Sequence, residues 1–184
     1  MSINAESTDW SPEESMAAVA FLEKIAYCQD QGKGMPGPVF EAHVRSKKNI
    51  STEMVIHNGA GEVYLIQRPT REQNPSEAYP GKWHSPGVTH GKNELTDPDT
   101  FNRLVAREFG GVEFTGAVEM GSPEVKDAER GTYLLRVFLA GIDGAPKNPR
   151  GRFFARSEIP WDDLVASHRD VILPTAFGGA PRRS

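Results

Sequence analysis

The sequence predicts an α/β (α+β) domain built on a mixed sheet, with an N-terminal helical extension in front of it. Three observations predict this. Strand-like runs rich in β-branched and aromatic residues alternate with helical patterns. A cluster of Gly and Pro between Gly32 and Pro38 separates the first helix from everything after it. The length of 184 residues is enough for one well-packed core and gives no reason to look for two. The expected organisation is a helical extension over residues 1–38, the main domain over 39–177 and a tail over 178–184.

Ser11-Pro12-Glu13-Glu14 opens the first helix. Ser11 can cap it, Pro12 suits the first helical position because its missing N–H costs nothing there, and Glu14 completes a capping box. Val19, Leu22, Ile25 and Ala26 then share one face. Residues Val39 to Val44 read as a short strand. Glu53 to His57 leads through Asn58-Gly59-Ala60-Gly61 into Glu62 to Gln67, two β-rich runs joined by a Gly-rich turn, hence a hairpin. Residues 69–93 show no period and read as a long loop, a kind of connection that often carries function. Asp97-Pro98-Asp99 starts a second helix with Asp97 as its cap. Phe101, Leu104, Val105 and Glu108 follow at spacings of three and four, and Gly110-Gly111 stops the helix. Strand patterns return at 112–120, 133–140 and 152–155, and a last helix is expected from about Pro160.

Charge and cysteine usage exclude several function classes. A net charge of −4 leaves no concentrated basic face, which a protein that neutralises a nucleic-acid backbone requires. The single Cys28 has no intrachain disulfide partner, and a reducing compartment fits it. Met1 to Trp10 lacks the basic and apolar parts of a secretory signal, and no run approaches a membrane span. The expectation is a cytoplasmic protein that does not act at a membrane.

The order of three parts carries the functional reading. The hairpin ends in Leu65-Ile66-Gln67-Arg68, a loop reads Tyr79-Pro80-Gly81-Lys82-Trp83-His84-Ser85-Pro86-Gly87, and the capped helix follows. This arrangement resembles the Nudix family, in which a Leu-Leu-x-Arg strand end and a Gly-x-Trp-x-x-Pro-Gly-Gly loop precede a signature helix. That signature reads Gly, five residues, Glu, seven residues, then Arg-Glu-apolar-x-Glu-Glu-x-Gly-apolar. Pro86-Gly87 matches the loop, Val88 stands at the signature's first Gly, and Glu94 follows at the family's spacing. After one extra residue Arg103, Val105, Glu108 and Gly110 match, while Leu104 and Arg107 replace two Glu. A register starting at Arg107 puts Gly111 and Val112 at the Glu pair and finds no later Gly, so the first register is preferred. Tyr-Pro-Gly-Lys-Trp-His is also similar to the isopentenyl-diphosphate isomerase branch, but the Cys of that branch is missing from this loop.

The resemblance covers residues 50–177 and implies a Nudix-like α/β/α sandwich. It also implies divalent-metal-dependent hydrolysis of a nucleoside diphosphate linked to another group. Such a substrate is surrounded by negative charge, so Mg²⁺ or Mn²⁺ must neutralise its oxygens and activate water. These hard cations take several carboxylates, which the family sets on one helical face. Here Glu108 alone remains as metal ligand, next to the permanent cation of Arg107, which marks a degenerate site. The roles implied are Arg103 and Glu94 orienting the helix, Glu124 or Glu129 as auxiliary ligand or base, and Arg68, Trp83 and Gly87 at the substrate. Tyr79 and Trp83 could stack on a base, and His84 and His90 could meet metal or phosphate. Glu119 and Asp127 are further acids on or after the strand that follows the helix. Two functions stay open, a Nudix-type hydrolase and a catalytically impaired module that binds a nucleotide-like small molecule or a protein partner. The apolar stripe of the first helix could cover its own domain, make a homodimer or dock on a partner.

Overall fold

The computed structural model describes residues 10–90, 96–110, 112–127 and 131–179. The chain divides into two compact units, Met1–Pro36 and Gly37–Ser184. The first holds helix α1 (Pro12–Asp30), where the Ser11 hydroxyl accepts from the Glu14 amide at 3.1 Å and the Glu14 carboxylate accepts from the Ser11 amide at 2.7 Å. Met16, Val19, Phe21 and Leu22 on this helix are exposed.

The second unit begins with helix α2 (Gly37–Arg45), which corrects the expectation of a strand at 39–44. The alternation of Val39, Glu41 and His43 imitates a strand, but the stretch is helical, with Val44 buried and Gly37, Val39, Glu41 and His43 half-buried. Pro38 lies in the first turn, and the Asn49 side chain donates to the otherwise orphaned Val44 carbonyl at 2.7 Å.

Eight strands follow among the described residues: β1 (Lys48–His57), β2 (Val63–Gln67), β3 (Trp83–His84), β4 (Gly87–Thr89), β5 (Phe114–Gly121), β6 (Glu124–Asp127), β7 (Gly131–Ile142) and β8 (Gly151–Phe154). The main path runs β3-β2-β1-β7-β5, with β4 on β1, β6 on β7 and β8 on β2. Strands β1 and β7 pair in parallel from Lys48↔Thr132 to His57↔Gly141, and the other pairs are antiparallel, so the sheet is mixed. The β1–β2 hairpin forms as expected, because the Asn58 side-chain oxygen accepts from the amides of Ala60 and Glu62, both at 3.0 Å. The part of the expected loop at 69–93 that the structure describes, up to residue 90, is less irregular than its composition suggests. Strands β3 and β4 are too short to show a period, and their hydrogen bonds come from β2 and β1 rather than from local pattern.

Side chains of β1 alternate between two cores. Met54 and Ile56 pack with Tyr64, Leu104, Phe109 and Phe138 on one face. Val55 packs with Val63, Leu65, Leu135, Ile172 and Leu173 on the other. Helix α3 (Asp97–Leu104), continued as a π-turn at Val105–Phe109, covers the first face; a π-turn at His168–Ile172 leading into α4 (Leu173–Ala176) covers the second. The result is a helix–sheet–helix sandwich.

Two helix starts differ from expectation. Thr96, not Asp97, caps α3: the Asp99 carboxylate accepts from the Thr96 amide at 3.1 Å and from its hydroxyl at 2.8 Å. Asp97 turns to Arg136 on β7 instead. The helix expected from about Pro160 begins as a 3-10 turn at Trp161–Asp163 and is then interrupted, because Val165 donates to the Trp83 carbonyl at 2.9 Å and Leu164 bridges to Trp83; the π-turn at His168–Ile172 follows. No helix among the described residues is long and apolar enough to cross a membrane.

Candidate functional site

A cavity of about 650 Å³, including its open mouth, lies on the sheet face covered by the His168 segment. The floor comes from β1. Ser51 and Glu53 are two residues apart, hence on the same side as Val55, and both are buried, in the half of β1 that also buries Asn49 and Thr52. The Ser51 hydroxyl donates to Glu53 Oε1 at 2.8 Å. Gly87 sits opposite Glu53 in the β1–β4 register, and a β-carbon at 87 would lie 2.1 Å from Glu53 Oε2. A side chain at 87 would force this carboxylate to move.

The loop between β2 and β3 forms one wall. Arg68 donates through Nε and Nη2 to the two oxygens of buried Glu77, at 2.7 and 3.0 Å. That bidentate pair neutralises the guanidinium and fixes the loop. Glu77 also accepts from the Tyr79 amide at 3.1 Å, and the Tyr79 hydroxyl donates to Asp127 at the end of β6.

The opposite wall is two histidines held by Ser85. A carbonyl can only accept, so His84 Nδ1 donates to the Ser85 carbonyl at 2.7 Å. A backbone amide can only donate, so His168 Nδ1 accepts from the Ser85 N–H at 3.2 Å, and the Ser85 hydroxyl donates to the same nitrogen at 2.8 Å. Neutral His168 therefore carries its proton on Nε2, and neutral His84 carries its own on Nδ1. The rings meet edge to face at 5.5 Å. One main-chain unit thus sets opposite tautomers on two neighbouring imidazoles.

Of the residues expected at the site, Arg68 and Gly87 line this cavity, as do Tyr79, His84 and Asp127. Trp83 packs edge to face on Phe154 at 5.0 Å with the Arg152 guanidinium over its ring, and does not line the cavity. His90 meets the Thr52 hydroxyl through Nε2 at 2.7 Å. Arg103 donates to the Thr89 carbonyl at 2.6 Å and so ties α3 to β4. Glu124 pairs with Lys48 at the sheet margin, both side chains more than half exposed. Glu119 accepts from Arg136 and Ser122. Glu94 and Glu129 lie outside the described residues.

Glu108 belongs to the α3 side of the sheet. It is buried, with Oε1 3.1 Å from Arg107 Nε. Beside it the Tyr64 phenol is pushed up to about 12, first by burial and then by the Glu108 charge. Leu104 is fully buried in the α3 core, while the Arg107 side chain is 66% exposed. A Mg²⁺ or Mn²⁺ cluster does not fit this helix: one position is core, the next is a cation, and the remaining carboxylate is already paired with that cation. Among the described residues no three His, Cys, Asp or Glu side chains come close enough together to hold a metal ion.

The sequence singled out neither Glu53 nor His168. Glu53 had one signal, a charged residue directly before the apolar run Met54-Val55-Ile56 of a predicted strand. His168 had none, because it reaches Ser85 across 83 positions of sequence.

No family model and no curated protein matches this sequence. Solved structures do. A NUDIX hydrolase from Nitrosomonas europaea is 18% identical, with 74% of this chain and 93% of that one covered at a TM-score of 0.57. The MutT NUDIX hydrolase from Burkholderia pseudomallei is 19% identical over 67% and 94%, at 0.55. A MutT structure from work on Aliivibrio salmonicida and Vibrio cholerae is 15% identical over 72% and 99%, at 0.52. At these identities the likeness is one of fold.

Proposed function

We propose that this Nudix-fold chain is a binding module for a nucleotide-like small molecule, and that helix α3 does not run metal-dependent hydrolysis. The observation that supports it is the fate of the two replaced signature positions: Leu104 is built into the core, and Arg107 pairs with the one remaining carboxylate.

The cavity suits the base of such a ligand. Tyr79 and Tyr133 offer aromatic walls, while Glu53 and Asp127 accept from amino and imino groups. Arg68 is matched by Glu77, so the charges lining the cavity favour a neutral, donor-rich heterocycle over a bare phosphate.

Thermal shift on the full chain with a panel of nucleosides and nucleotides, with and without Mn²⁺, tests this. The expected result is a rise in Tm that needs no metal, with no phosphate released. Mn²⁺-dependent phosphate release that Glu108→Gln abolishes would overturn it. That outcome would favour the second reading, a hydrolase in which Glu108 holds Mg²⁺ or Mn²⁺, with Glu94, Glu124 or Glu129 assisting. One observation leans that way: Arg103 anchors α3 to β4 as a helix-orienting residue would.

A further inference from the structure

The wall that His84 and His168 give the cavity has a hydrogen-bond polarity that the chain fixes by itself. Both imidazoles line the cavity, whereas Ser85, which engages Nδ1 of each, is fully buried and lies outside the lining. The nitrogen that either ring can turn to a bound molecule is therefore Nε2. On His84 this atom is an acceptor, because the ring proton is on Nδ1 and goes to the Ser85 carbonyl. On His168 it is a donor, because Nδ1 accepts from the Ser85 amide and hydroxyl.

A hydroxyl can rotate and reverse its role, but an amide and a carbonyl cannot. The main chain of Ser85 is held on both sides. His84 pairs with Ile66 of β2, the Met54 amide donates to the Pro86 carbonyl at 2.8 Å, and Gly87 pairs with Glu53 of β1. The His168 backbone is tied to the same region: its amide donates to the Val165 carbonyl at 2.9 Å, and Val165 donates to the Trp83 carbonyl at 2.9 Å. With ring centres 5.5 Å apart, one heterocycle can meet both imidazoles. The rest of the polar lining does not duplicate the pair. Glu53 and Asp127 accept, and Arg68 directs Nε and Nη2 to Glu77, which leaves the His168 N–H as the neutral imidazole donor beside an imidazole acceptor.

We propose that His84 and His168 are specificity-determining residues of this cavity and that Ser85 is their positioning residue. The bound heterocycle presents a ring N–H to His84 and an acceptor to His168. This rests on the reading of the cavity as a site for a nucleotide-like molecule.

Two measurements on the full chain test it. Nitrogen-edited NMR of the histidine rings reads the tautomers without any ligand: His84 is expected with its proton on Nδ1 and His168 with its proton on Nε2. Both assignments should persist in Ser85→Ala, which keeps the amide and the carbonyl. Calorimetry then compares inosine and uridine with the same nucleosides methylated on the ring N–H. The methylated partners should bind about tenfold more weakly or worse, since they leave the His84 acceptor buried and unmet. His168→Phe should weaken the parent nucleosides similarly, and His168→Gln, whose amide can still donate, should restore binding to within a few-fold. Either ring in the other tautomer, or equal affinity for parent and methylated nucleosides, overturns the proposal. If no nucleoside binds while both tautomers are as expected, the nucleotide-like reading fails and the polarity of the wall stands.

Discussion

Glu53 and Gly87 face each other across the β1–β4 register so closely that the carboxylate occupies the space a side chain at 87 would need. Gly87→Ala should therefore cost about 1–3 kcal/mol, as overpacking of a filled interior does. Glu53→Ala in the same background should recover part of that loss, because residues in contact are not additive. Urea unfolding of the two single variants and the double variant measures the coupling. Strict additivity would show that the two do not compete for space.

The Tyr64 hydroxyl carries the cost of burial without a bond. Tyr64→Phe should leave the protein as stable or about 1 kcal/mol more so, since an unmet buried polar group is costly. The same variant should flatten the alkaline limb. A phenol raised to about 12 in the folded chain stays neutral while the unfolded chain ionises near its ordinary value, so stability is full below about 10 and falls towards 12. Unfolding free energy measured between pH 9 and 12 separates the two proteins.

Arg136 lies between Asp97 and Glu119, and its hydrogen bonds hold both carboxyls below their ordinary range. Depressed carboxyls stabilise the fold above their unfolded values and lose that effect as pH falls through the folded ones. The Tm gap between the native chain and Arg136→Met should be widest near neutrality and close under acid conditions. A gap that persists at pH 2 would assign the effect to packing of Arg136 on the Phe138 ring instead.

Leu104 has no accessible surface, so restoring the family's carboxylate by Leu104→Glu should destabilise the chain by roughly 3 kcal/mol or more, because the new charge enters the core without a partner. Arg107→Glu, on the exposed side, should be tolerated. A Leu104→Glu variant with native Tm and stoichiometric Mn²⁺ binding would mean that the helix can still turn towards a metal.

The α/β class, the β1–β2 hairpin, the extent of α3 and the capping box of α1 were legible because each is written in local chemistry: a period, a cap, a Gly-rich turn. The first strand expectation failed at α2 for the same reason in reverse, since six residues that begin and end in valine do not distinguish a strand from a short helix. Thr96 was passed over as a cap because Asp97 is an equally good capping residue one position on. The cavity was half legible. Arg68 and Gly87 stand in a motif, whereas Glu53, Tyr133 and His168 come from distant strands and a distant turn and meet only through the sheet register. The meaning of Leu104 and Arg107 was readable as missing charge; that one became core and the other a surface cation is a fact of packing.

The parallel ladder between β1 and β7 joins residue 48 to residue 132 and residue 57 to residue 141. Its two strands are thus made far apart in time during synthesis. The hairpin can close early, but β1 keeps an open, apolar edge until β7 (Gly131–Ile142) has left the ribosome. Such long-range pairing is slow to form. The sheet's own centre, not its margins, is then where a nascent chain is most exposed to mispairing, and a truncation before β7 should yield aggregate instead of a smaller soluble domain.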